Sequence, residues 1–262
     1  MPFSLQHKCL FIHIPRNGGV SFRVALGISK PTDSTLASEL NGDFDLEPLN
    51  ENDLLMNIPL HHLCMKHIQM LGVLDHSLIA ESLKVAFVRN PWDKVLSAYS
   101  HYYQRHSLDF EDFIVKLEKI VSFVNENFVF DLENVFYKEY SNLMISVLSE
   151  ETRERKLNPW RKDAIWLDPH FFPQYFFIYD EFDTQLVDCI GRFENYEKDA
   201  QDILDRLGAL KFFRTRAGTH KPLIPHFNYS KHADYREVYN SKTRDIVYNL
   251  FKKDIQTFDY TF

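Results

Sequence analysis

Apolar residues along this chain fall into two kinds of pattern. Leu10, Phe11, Ile12 and Ile14 make a short β-prone run that reads as a buried strand. Val85, Ala86, Phe87 and Val88 make a second. Each run leads into a turn and then into helical spacing. The pattern predicts strand–loop–helix over Lys8–Gly27 and strand then helix over Lys84–Arg105, with Val95, Ala98, Tyr99 and Tyr102 on the buried helix face. Further helices are predicted at His62–Leu71, Asp109–Asn125, Tyr196–Leu207 and Ser241–Phe251. Tyr175–Tyr179 and Asp188–Phe193 read as strands. Ser29–Asn57 is polar and interrupted by Pro31, Asn41, Gly42 and Pro48, so it reads as loop. No internal repeat or low-complexity tract is present. Strands alternating with helices predict an α/β fold, with a parallel sheet covered by helices on both faces. The length favours one domain over residues 1–262.

The first strand runs into glycines. In Lys8–Ser21, KCLFIHIPRNGGVS, Gly18 and Gly19 permit backbone angles that other residues resist. The helix that follows starts near Val20, with unpaired amides and the positive end of its dipole forward. A phosphate fits such a place, and Arg16 adds a full positive charge at its rim. The segment therefore predicts binding of a phosphorylated small molecule. It is not a nucleoside-triphosphatase loop, because it is shorter than that loop and no lysine follows the glycines. The GxGxxG dinucleotide fingerprint is absent as well.

The second strand ends at Arg89, where open α/β sheets place ligands. Asn90 suits a helix N-cap and Pro91 the first helical position. Ser97 lies seven residues past Asn90, on the same helix face. Arg89 and Ser97 are expected to converge on one anion, as a charged fork and a hydroxyl donor.

Together these segments resemble the sulfotransferases that use 3'-phosphoadenosine 5'-phosphosulfate (PAPS). HIPRNGGVSF is similar to their 5'-phosphosulfate loop, usually HIPKTGGTS. FVRNPWDKVLSAY is similar to their 3'-phosphate segment, FVRNPxDRxxSxY. The carbohydrate (sulfotransferase family 2-like) branch is the better match. GRFENYEKDAQDIL and the ending KKDIQTFDYTF resemble later family segments, so the likeness covers most of the chain. The family has lysine where this chain has Arg16, and threonine where it has Asn17 and Val20. Arginine keeps the charge but is not interchangeable with lysine.

The resemblance implies a P-loop-like sheet and a site made of Arg16, Asn17, Gly18, Gly19, Val20, Ser21, Arg89 and Ser97. Arg16, the loop amides and Ser21 would stabilise charge on the leaving oxygen. The acceptor proton needs a base. LHHLCMKHIQMLG resembles the family stretch xHxTAxxI, which puts His62 at the family's histidine and leaves His61 as the fallback. A metal is not expected: His62 and His67 are five residues apart, off one helix face, and no HExxH or paired CxxC occurs. Lys211–Arg236 is locally basic and reads as a long loop closing over an anion. In the family this region covers the donor, and Lys221, Asn228 and Ser230 are its candidates here. His170 and Gln174 fall in a segment resembling one near the family's active site, and the aromatics around them read as core.

Composition narrows the partners. The 45% hydrophobic content and 23 phenylalanines suit a large core. A net charge of −7 argues against general nucleic-acid binding and makes a long polyanion a less natural acceptor. Three cysteines without framework spacing favour a reducing compartment. The N-terminus lacks a signal pattern and no apolar run is long enough to span a membrane. A soluble, bacterial-type cytoplasmic enzyme is expected; a fragment stripped of a Golgi anchor would have the same sequence. The leading expectation is PAPS-dependent sulfation of an acceptor hydroxyl, on a carbohydrate, without metal. A nucleoside-triphosphate-dependent phosphotransferase and a catalytically inactive nucleotide-binding protein are the alternatives. Neither the acceptor's identity nor the oligomeric state is written in the sequence.

Overall fold

The two apolar runs lie side by side. In the computed structural model, residues 3–28, 62–72, 74–102, 109–128, 139, 143, 169–210, 212–214, 220–222, 224 and 232–262 are described. Strand β1 (Phe3–Ser4) pairs antiparallel with β2 (Cys9–Ile12). β2 pairs parallel with β3 (Leu83–Val88), and β3 pairs parallel with β4 (Cys189–Arg192). The order is β1-β2-β3-β4, and the fold is α/β, with this sheet flanked by helices. The antiparallel edge strand β1 is an addition to the parallel sheet expected.

The chain divides into two compact units. The first comprises Met1–Glu47, Leu60–Arg89 and Phe177–Tyr229. It holds the sheet, α1 (Gly19–Ala25), α2 (Met65–Leu71) and α3 (His76–Glu81). Alternate residues of β2 and β3 point to opposite faces. Phe11, Val85 and Phe87 face a cluster with Phe22 and Ala25 of α1 and Leu26 at its C-cap. Ala200, Ile203 and Leu204 join it from α7 (Tyr196–Arg206). The Phe11, Phe22 and Phe87 rings lie 5.0–6.3 Å apart in tilted and edge-on pairs. Each such burial contributes roughly 1.5–3 kcal/mol. Leu10, Ile12, Ala86 and Val88 are buried too, so both faces are covered. That accounts for continuous rather than alternating apolar runs. Gly191 of β4 opposes Phe87, whose ring fills the space a Cβ would need.

The second unit comprises Pro48–Pro59, Asn90–Phe176 and Ser230–Phe262. Helix α4 (Pro91–Tyr102) starts as its sequence suggests, with Asn90 Oδ1 accepting from the Trp92 amide. α5 (Phe110–Asn127) is capped by Asp109, which accepts from the Glu111 amide. A single helical turn, α6, spans Tyr175–Ile178. This corrects the strand predicted for Tyr175–Tyr179, of which Tyr179 alone pairs, in an isolated bridge to Gln185. The Asp254 carboxylate explains the turn: it accepts from the Gln174 and Tyr175 amides, each at 2.8 Å, as a cap supplied from far along the chain.

After α7, β5 (Phe212–Arg214) and β6 (His220–Pro222) form an antiparallel pair. Part of the basic segment is therefore sheet, not continuous loop. Helices α8 (Tyr235–Val238), α9 (Ser241–Leu250) and α10 (Lys252–Thr257) complete the chain. The polar stretch Ser29–Asn57 lies outside the described residues.

Candidate active site

The site grows from the loop between β2 and α1. Arg16 and Gly18 both adopt left-handed backbone, with φ of 68° and 78°. Glycine takes this conformation freely, whereas an arginine there costs about 1–2 kcal/mol. The Arg16 carbonyl oxygen accepts from Arg89 Nη1 at 2.8 Å. Asn17 is buried, and its Nδ2 donates to the Phe87 carbonyl at 2.7 Å. Two successive loop residues are thus tied to the carboxyl end of β3.

The helix follows at once. The Ser21 and Phe22 amides donate to the Gly18 carbonyl at 3.0 and 3.3 Å, which opens the ladder of α1. The Gly19 and Val20 amides precede it, at the positive end of the helix dipole. A Cβ on Gly19 would overlap the His13 imidazole. A Cβ on Gly18 would come within 2.9 Å of the Tyr196 ring. Both positions therefore need glycine on steric grounds, and Gly18 also on φ.

Arg89 is a buried cation beside the loop, 4% exposed. Its guanidinium lies 4.0 Å from the Phe193 ring centroid, a cation–π contact that orients it beside the loop. Tyr196 packs under Gly18 and makes a long, 3.4 Å hydrogen bond to the Gly18 carbonyl. Burial pushes the Tyr196 phenol well up, against a hydrogen bond from Ser21 that pulls it down, so it stays a neutral hydroxyl.

His62 is buried, and its Nδ1 lies 3.0 Å from the His13 carbonyl oxygen. A carbonyl only accepts, so Nδ1 is the donor in this contact, which leaves Nε2 as the nitrogen that can accept a proton whenever the ring is neutral. The His13 and His62 rings are 4.7 Å apart, tilted by 50°. His67, on α2, is 1% exposed, and burial lowers its pKa to about 4. It is neutral at physiological pH. Among the described residues, no group of three or more His, Cys, Asp or Glu is placed to hold a metal.

Arg16, Asn17, Gly18, Gly19, Val20, Ser21 and Arg89 therefore gather at one end of the first unit's parallel strands, with His62 joined to them through His13. Ser97 belongs to α4 of the second unit, fully buried. Lys221 lies in β6, paired with Phe213. Asn228, Ser230 and His61 lie outside the described residues. In the second unit, Gln174 is buried against Asp254, and the His170 carbonyl accepts from Lys94 Nζ at 2.9 Å. Phe171, Phe172 and Tyr175 are buried core.

Three residues of the site, His13, Phe193 and Tyr196, received no role from the sequence. His13 stood inside the glycine-loop motif, and Phe193 and Tyr196 stood inside GRFENYE. The signal was present as likeness, but nothing local reveals that these rings pack against glycines and an arginine from across the sheet.

The family model for the sulfotransferase family matches residues 6–261. The chain belongs to the sulfotransferase family. Neither the curated proteins nor the solved structures contain a match to it. Membership makes the protein a transferase of the sulfuryl-transfer kind, and the match covers nearly all of both units. Seen as a sulfotransferase, its departures from the family loop pattern have visible consequences. Asn17, in a threonine's place, spends an amide hydrogen on β3. Arg16, in a lysine's place, has its carbonyl held by Arg89. No helix among the described residues is long and apolar enough to cross a membrane.

Proposed function

We propose that this sulfotransferase moves a sulfuryl group from PAPS to a hydroxyl of a carbohydrate acceptor, as a single domain over residues 1–262 and without a metal. The observation that carries this reading is the loop Arg16–Ser21, with two glycines backed by rings, Asn17 tied to Phe87 of β3 and Arg16 tied to the buried guanidinium of Arg89. Rings packed where side chains would stand hold the loop backbone in one shape, and a fixed glycine loop at a helix start suits close approach of an anion to backbone amides. The donor supplies an activated sulfuryl group and a nucleotide phosphate as leaving group. In this reading the Gly18, Gly19 and Val20 amides, the Ser21 hydroxyl and Arg16 bind the 5'-phosphosulfate and offset charge on the leaving oxygen. Arg89 and Ser97 bind the 3'-phosphate, and Lys221, Asn228 and Ser230 cover the nucleotide.

His62 Nε2 takes the proton of the acceptor hydroxyl as it attacks sulfur in line. The Nδ1–H bond to His13 supports this role, because it leaves the lone pair on the other nitrogen. The three free cysteines support a reducing, cytoplasmic compartment.

The test is His62→Ala. Calorimetric affinity for adenosine 3',5'-bisphosphate should stay close to wild type, while sulfate transfer from PAPS to a panel of carbohydrate acceptors should disappear. Wild-type transfer by this variant would remove His62 from the role. Arg16, with its left-handed backbone in the lysine's place, favours one second reading, a nucleotide-binding protein without turnover. Arg16→Lys separates the two: an enzyme should transfer faster, whereas absence of transfer in both forms would favour the binding protein.

A further inference from the structure

His13 touches both halves of the chemistry. Its ring occupies the space that a Cβ on Gly19 would need, so it backs the anion loop. The same ring stacks on Phe11 at 5.7 Å and meets the His62 ring at 4.7 Å. Its carbonyl oxygen accepts from His62 Nδ1 at 3.0 Å. Both histidines are buried, 6% exposed each. An imidazole whose tautomer is set by a hydrogen bond from its other nitrogen is the usual arrangement for a working histidine. Here the setting group is the backbone of the strand that becomes the anion loop, not a carboxylate.

We infer that His13 is a positioning residue, which couples the anion loop to His62 by wedging its ring between Gly19 and the His62 ring while its carbonyl holds the Nδ1–H tautomer. The inference rests on the reading of His62 as the base. Loss of the wedge frees the His62 ring to turn, and a misplacement of about 1 Å at a reacting group costs about 10²-fold in rate.

Nitrogen-15 spectra of histidine-labelled full-length protein read the tautomer, with the His62 signals assigned by their loss in His62→Ala. Wild-type His62 should be the Nδ1–H tautomer. In His13→Ala it should become a mixture of tautomers, and transfer from PAPS to the carbohydrate panel should fall by about 10²-fold, more than any loss of affinity for adenosine 3',5'-bisphosphate. A wild-type Nε2–H tautomer overturns the inference, and so does a His13→Ala variant with unchanged tautomer and unchanged transfer. If His13→Ala does not fold, the wild-type tautomer alone decides. Transfer retained by His62→Ala would contradict the base reading instead, and is told apart because it leaves the wild-type tautomer as Nδ1–H.

Discussion

Nη1 of Arg89 donates to the carbonyl oxygen of Arg16 at 2.8 Å. The residue read as the 3'-phosphate ligand thus also holds the loop read as the 5'-phosphosulfate site. Its guanidinium also stacks over Phe193, 4.0 Å from the ring centroid.

Arg89→Ala should therefore weaken adenosine 3',5'-bisphosphate by about 10–100-fold, the worth of a charge-assisted hydrogen bond or two. Adenosine 5'-phosphate should lose less. Calorimetry with both nucleotides checks it, and equal losses would exclude a 3'-phosphate role.

Gly19→Ala tests the packing of the loop against His13. The new methyl group collides with the His13 ring, so the loop or the ring must move. Overpacking of this kind costs about 1–3 kcal/mol. Thermal denaturation should show that loss, and nucleotide binding should fall with it. Gly27→Ala is the contrast: its φ of 76° strains an alanine, but nothing stands within 4 Å of the added group.

His67 makes a pH prediction. Its pKa is about 4 in the fold and about 6.5 in an unfolded chain, because burial penalises the charged ring. Between those values the unfolded state binds more protons, so stability rises with pH. The stabilisation is complete above pH 6.5 and is lost as pH falls towards 4. Denaturant melts of His67→Leu should show a shallower slope over that window than wild type does.

Lys94 and Asp254 make a prediction about the second unit. Lys94 is 1% exposed and donates to the His170 and Phe172 carbonyls at 2.9 and 3.1 Å. Asp254 is fully buried; burial raises its carboxyl pKa, while the Tyr175 and Gln174 amides and Lys94 pull it down. Lys94→Met strands the two carbonyls and removes a positive charge that favours the Asp254 carboxylate. Breaking a buried charge arrangement in this way costs about 3–5 kcal/mol. Denaturant melts should show it, with a smaller loss in Lys94→Met combined with Asp254→Asn than the single losses summed.

The sheet was legible because its strands are buried on both faces. Leu10–Ile12 and Val85–Val88 need continuous apolar character, and that reads plainly. The Asn90 cap and the helix after it were equally plain, being local chemistry. Tyr175–Tyr179 was not, since an apolar run of five fits a strand or a buried helical turn. What decides it is Asp254, 79 residues from Tyr175. The site divides in the same way. Gly18, Gly19 and Arg89 were legible because glycine freedom and charge announce themselves. The left-handed backbone of Arg16 was not, nor was the packing of His13, Phe193 and Tyr196 around the loop. Those contacts arise when β2, β3 and β4 come together, and no short window contains them.

The measurement that bears most directly on the account is calorimetric titration of adenosine 3',5'-bisphosphate into the metal-free protein, beside ATP with magnesium. The account predicts micromolar or tighter binding of the bisphosphate that depends on its 3'-phosphate. No binding, or a preference for ATP with magnesium, would contradict it.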